Sequence, residues 1–72
     1  MNKSLLMSVM IKHGDTQEKL ADAMGLSLSR LNAKINQRDG ADFDRAEIQF
    51  IMDRYELDFA TGMEIFFTPK VS

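Results

Sequence analysis

An all-α bundle of four to five short helices is the fold this sequence predicts, and three observations predict it. Apolar residues recur at spacings of three and four along nearly the whole chain, the period of one helix face. Capping residues stand ahead of those runs, and glycine follows two of them. The alternation of a half-buried strand is absent, the run Ile65 to Phe67 being too short to classify. Seventy-two residues correspond to one small domain, 1–72.

Each element follows from local signals. Leu5, Leu6, Val9 and Met10 form the inner face of a first helix over roughly 3–12, which His13-Gly14 stops. Asp15-Thr16-Gln17-Glu18 reads as a capping box, an oxygen acceptor followed three places on by a glutamate that reaches back. It opens a second helix with Leu20, Ala21 and Met24 inside. Gly25 closes that helix, because the turn needs a left-handed residue. Leu26 anchors the turn, and Ser27 is the natural N-cap of a third helix. That helix carries Leu31 and Ile35 inward and ends in the polar stretch Asn36 to Gly40.

A second capping signature, Asp44-Arg45-Ala46-Glu47, opens a fourth helix with Ile48, Ile51, Met52 and Tyr55 on one side. Leu57 to Gly62 reads as a connection plus a short helical turn. Three consecutive apolar residues, Ile65-Phe66-Phe67, cannot all enter one small core, so at least one is expected to face outward or pack on a partner. Pro69 ends any regular structure. Met10, Met24 and Met52 fall on inward faces and read as core; Met7 and Met63 fall near the edges.

Composition narrows the function. With no cysteine there is no disulfide, thiolate nucleophile or ordinary structural zinc site, and one histidine cannot supply a ligand cluster. His13, next to Gly14, reads as a solvated helix end. Asp39, Asp42 and Asp44 are solvated loop and cap residues, since an EF-hand register from Asp39 would put Ala41 and Phe43 at ligand positions. Asn2-Lys3-Ser4 is a chance glycosylation triplet in a chain without a secretory signal. No nucleophile–base pair and no glycine-rich phosphate loop appears. The expectation is a cytoplasmic binding module, not an enzyme, with no cofactor, metal, membrane span or small-molecule substrate.

Charge points to the partner. Residues 1–38 carry six Lys/Arg and three acids, net plus three, whereas residues 39–72 carry three Lys/Arg and eight acids, net minus five. The basic half can meet phosphate; the acidic half repels it. Within the basic half, residues 16–36 combine two short helices with a tight glycine-containing turn, the pattern of a helix-turn-helix. Ala21 is small where the second helix must cross closely. Leu20, Met24, Leu31 and Ile35 lock that crossing, which frees the outward residues of the second helix to read a ligand.

Thr16-Gln17-x-x-Leu20-Ala21-x-x-x-Gly25-Leu26-Ser27, followed by Leu31 and Lys34-Ile35-Asn36, resembles the lambda-repressor-like, Cro-type DNA-binding domains of phages. Phe43-Asp44-x-x-Glu47-Ile48 and Glu64-Ile65-Phe66-Phe67 resemble small Cro-like regulators of Gram-positive phages, so the likeness covers roughly residues 4–67. It implies a five-helix bundle, no cofactor, and a transcription regulator in a repressor-controlled lysis–lysogeny switch. By the same resemblance Gln17 clamps phosphate or supports the recognition helix, and Leu28, Ser29, Arg30, Asn32 and Ala33 occupy its base-reading turns. Ser27 and Asn36 join the contact set, with Lys34 and Arg38 for phosphates.

The pattern is uneven. Leu28 and Ala33 offer only apolar contact to a thymine methyl, Ser29 only a hydroxyl, and Gln37 stands where the family commonly has glycine. The partner that the resemblance implies is operator DNA, with a homodimer as the assembly to test. The alternative is an antirepressor, resembling the modulators of repression found beside repressor genes in lactococcal phages. Such a protein turns the same face onto a repressor's DNA-binding domain, a role that Leu28, Ala33 and the acidic distal half suit.

Overall fold

The computed structural model describes residues 1–67 as five α-helices and one 3-10 turn: α1 (Lys3–Lys12), α2 (Gln17–Met24), α3 (Leu28–Asn36), the turn Arg38–Gly40, α4 (Arg45–Arg54) and α5 (Phe59–Phe66). Among the described residues there is no strand. The expectation for Pro69 lies outside them.

Local chemistry sets the ends. The Asn2 side chain caps α1 by accepting from the Leu5 N–H. Ser27 caps α3 through the Arg30 N–H at 3.1 Å. A reciprocal capping box opens α4, with the Asp44 carboxylate on the Glu47 N–H (2.8 Å) and the Glu47 carboxylate on the Asp44 N–H (3.0 Å). Gly25 ends α2 in the left-handed conformation, φ 70°, as its place behind the helix requires.

Two expectations are corrected. The box expected at Asp15 to Glu18 does not form, because the N-cap is Thr16, whose hydroxyl accepts from the Lys19 N–H at 3.2 Å. Asp15 has stronger partners elsewhere. Its carboxylate accepts from Arg54 Nε (2.9 Å) and from the Tyr55 hydroxyl (2.6 Å), tying the α1–α2 loop to the end of α4. Likewise, residues 57–62 are not merely a connection with a turn. A two-turn helix, α5, starts at Phe59 behind the Asp58 cap, which accepts from the Thr61 N–H (2.7 Å). Gly62, the last residue of that stretch, lies mid-helix, where a Cβ would come within 2.5 Å of the Met52 Cε. The missing side chain leaves room for the end of Met52 against α5.

The core joins all five helices: Leu6, Met10, Leu20, Ala21, Leu31, Ile35, Phe43, Ile51, Tyr55 and Ile65 are buried. Met24 and Met52, expected inside, are only half-buried. Phe43, between α3 and α4, adds an edge-to-face contact with Phe66 at 6.0 Å between centroids. Ile65, Phe66 and Phe67 divide as three neighbours on a helix must: buried, half-buried and exposed. The Asn2 N–H donates to the Ile65 carbonyl at 2.6 Å, fixing the start of the chain beside α5.

Candidate functional site

The most extensive helix–helix contact is between α2 and α3. The connection Gly25-Leu26-Ser27 is held by the Leu26 N–H on the Ala21 carbonyl, 2.9 Å. With Leu20, Ala21, Leu31 and Ile35 buried in the core, the N-terminal ends of both helices border one open groove of about 670 Å³. Thr16, Gln17 and Glu18 line it from the start of α2, Leu28, Ser29 and Asn32 from α3, and Arg38 from the turn that follows. The first N–H groups of a helix have no partner inside it, so α2 and α3 each present positive dipole ends at their starts.

A polar network organises the floor. The Asn32 Nδ2 donates to Gln17 Oε1 (3.2 Å), and Gln17 Nε2 makes a long contact to the Met7 sulfur (4.0 Å). Asn32 Oδ1 accepts from Asn36 Nδ2 (3.1 Å) and from the Arg38 guanidinium. Asn36 Nδ2 also donates to the Asn32 carbonyl (2.8 Å), and Asn36 Oδ1 accepts from Lys3 Nζ. Gln17, on α2, is thus bonded to a side chain of α3.

The expected contact residues separate on this geometry. Gln17, Leu28, Ser29, Asn32 and Arg38 gather at the groove. Ser29 and Arg30 are exposed, and Leu28 leaves 44% of its surface open. The Ser27 hydroxyl is engaged as the α3 cap, and Asn36 braces Asn32 from behind. Ala33 is half-buried and does not line the groove. Lys34, expected at phosphate, is turned away: its ammonium pairs with Glu47 at 2.8 Å and donates to the Asp42 carbonyl at 3.2 Å, with 14% of its side chain exposed. A carboxylate and a carbonyl within reach outcompete solvent for a half-buried ammonium. Thr16 and Glu18 also line the groove, though the sequence marks them as cap and first-turn residues of α2 and not as contacts. Lys3, distant in sequence, gave no signal.

Outside the groove, Phe59 (76% exposed), Met63 and Phe67 (58%) stand at four-residue spacing along α5 and its C-cap. Phe59 and Phe67 border a second hollow, of about 470 Å³, with Ile48 and Met52 of α4. No group of three or more His, Cys, Asp or Glu could hold a metal ion, and no helix is long and apolar enough to cross a membrane, among the described residues.

Electrostatics single out the Asp15 cluster. Hydrogen bonding from Arg54 holds the Asp15 carboxyl down to about 2, against its partial burial, with the Tyr55 hydroxyl assisting. Burial, and then the bond to Asp15, pushes the Tyr55 phenol above its ordinary value. This cluster is a structural tie between α4 and the loop before α2, outside the groove.

Comparison of the chain with protein-family models, with curated proteins and with solved structures gives no match in any of the three.

Proposed function

We infer that the protein is a Cro-like, phage-type helix-turn-helix transcription regulator that docks α3 in the major groove of operator DNA. The observation that carries this reading is the groove itself. Two capped helix starts meet there, Ser29 and Arg30 project from the first turn of α3, and a hydrogen-bonded amide network holds the floor. Helix starts favour phosphate, and exposed polar residues at the start of a recognition helix are where base edges are read. The chain would act in the cytoplasm, within a repressor-controlled switch. Two half-sites call for a homodimer, and the Phe59–Met63–Phe67 stripe gives a second copy an apolar surface to cover.

One observation favours the antirepressor reading: the groove wall contains a large exposed aliphatic residue, Leu28, and an acid, Glu18, while Lys34 is spent on Glu47. An apolar knob beside a carboxylate fits a basic protein surface better than a base edge. A gel shift on the intergenic DNA beside its gene, with and without the repressor encoded alongside, separates the two. A band made by this protein alone supports the regulator. Loss of the repressor's band, with none of its own, supports the antirepressor.

A further inference from the structure

Two independent devices hold Arg38 at the groove. The first is the backbone. Gln37 and Asp39 both have φ 51°, so the chain is left-handed on each side of Arg38, a conformation that aspartate tolerates and glutamine disfavours. Such conformations persist where the surrounding structure holds a segment in one arrangement. The second device is Asn32, whose Oδ1 accepts from the Arg38 guanidinium while its Nδ2 is committed to Gln17. The partner is a neutral amide, and neither of the ion pairs described above, Lys34–Glu47 and Arg54–Asp15, involves Arg38. The guanidinium is thus held in place with its charge uncancelled by that contact.

Asn32 itself is poorly disposed to read a base. A bidentate contact to adenine needs the amide oxygen as acceptor and the amide nitrogen as donor on one open edge. Here the oxygen already accepts two bonds and the nitrogen already donates one, inside a half-buried residue.

We propose that Asn32 is the positioning residue of Arg38, the residue already expected at phosphate, and that it acts on DNA through Arg38 and not by reading a base. The proposal rests on the reading of the groove as a DNA-binding face. The segment 37–40 presents the guanidinium to the duplex backbone at the rim, while Ser29 and Arg30 address the bases.

Salt dependence tests it, because each neutralised phosphate contributes about −0.9 to the slope of log affinity against log salt. The full chain, Arg38→Ala, Asn32→Ala and the double variant are titrated by fluorescence anisotropy against a labelled duplex of mixed sequence over a potassium chloride series. Arg38→Ala should flatten the slope by about 0.9, and Asn32→Ala should flatten it nearly as much although it removes no charge. The double variant should flatten it no further. If Asn32→Ala lowers the melting temperature enough to disturb folding, Asn32→Gln, which keeps an amide but displaces it from Arg38, should give the same flattening. An unchanged slope in Asn32→Ala, whether or not binding weakens, overturns the proposal. An unchanged slope in Arg38→Ala overturns it equally, and both outcomes leave the DNA reading standing. If the unaltered protein binds no duplex at low salt, the DNA reading fails and the proposal with it.

Discussion

Leu28 distinguishes the two functional readings at a single side chain. It sits at the first position of α3, 44% exposed, on the wall of the groove. For a DNA reader, Leu28→Gln should be tolerated or should gain contact to adenine. For an antirepressor, Leu28→Ala and Leu28→Gln should both weaken repressor binding about tenfold or more, since burying a leucine is worth roughly 1.5–3 kcal/mol. Titrating both variants against DNA and against the repressor decides it. If neither ligand responds to either change, the groove is not the working surface. Asp15 gives a residue-scale prediction about stability. Its folded carboxyl is held down to about 2 by Arg54, below the ordinary value of 3.8. The contribution is therefore present above pH 4 and is lost as pH falls from there toward 2. Asp15→Asn should remove on the order of 1–2 kcal/mol at neutral pH, discounted for the part-exposed guanidinium, and should flatten the acid limb of a pH–stability curve. An acid limb identical to that of the unaltered protein would refute the tie.

At the scale of elements, the α2–α3 contact governs the site. Ala21 is 2% exposed in that contact, so Ala21→Leu should overpack it and cost about 1–3 kcal/mol. A thermal melt unmoved by the substitution would contradict the packing. This part of the fold was legible because every cue was local: Thr16 and Ser27 cap, Gly25 turns, and Leu20, Leu31 and Ile35 repeat at helical spacing. Where tertiary partners compete with local ones, the legibility ends. Asp15 looks like a helix cap in sequence, yet Arg54 and Tyr55 claim its carboxylate from 39 and 40 residues away. Lys34 looks like a free cation, yet Glu47 lies 13 residues on and pairs with it. Gly62 ends a stretch that reads as a connection with a short turn, yet it lies inside α5, and the tip of Met52 occupies the space a side chain would take. No spacing rule within one helix reports any of the three.

For the whole molecule, the uneven charge is the decisive property. The basic N-terminal half supplies the groove, and Lys34–Glu47 removes one of its cations from service. The remaining cations near α3, Lys3, Arg30 and Arg38, are exposed, and they must outweigh Glu18 and the acidic distal half for DNA to bind. Counterion release then has to appear in the salt dependence, whatever the operator sequence. The most direct measurement is an equilibrium titration of the unaltered chain against its neighbouring intergenic duplex, repeated from low to physiological salt. A DNA reader predicts saturable binding whose log–log slope is steep, about −0.9 for each phosphate neutralised. Absence of binding at low salt, or affinity that stays flat as salt rises, would contradict it.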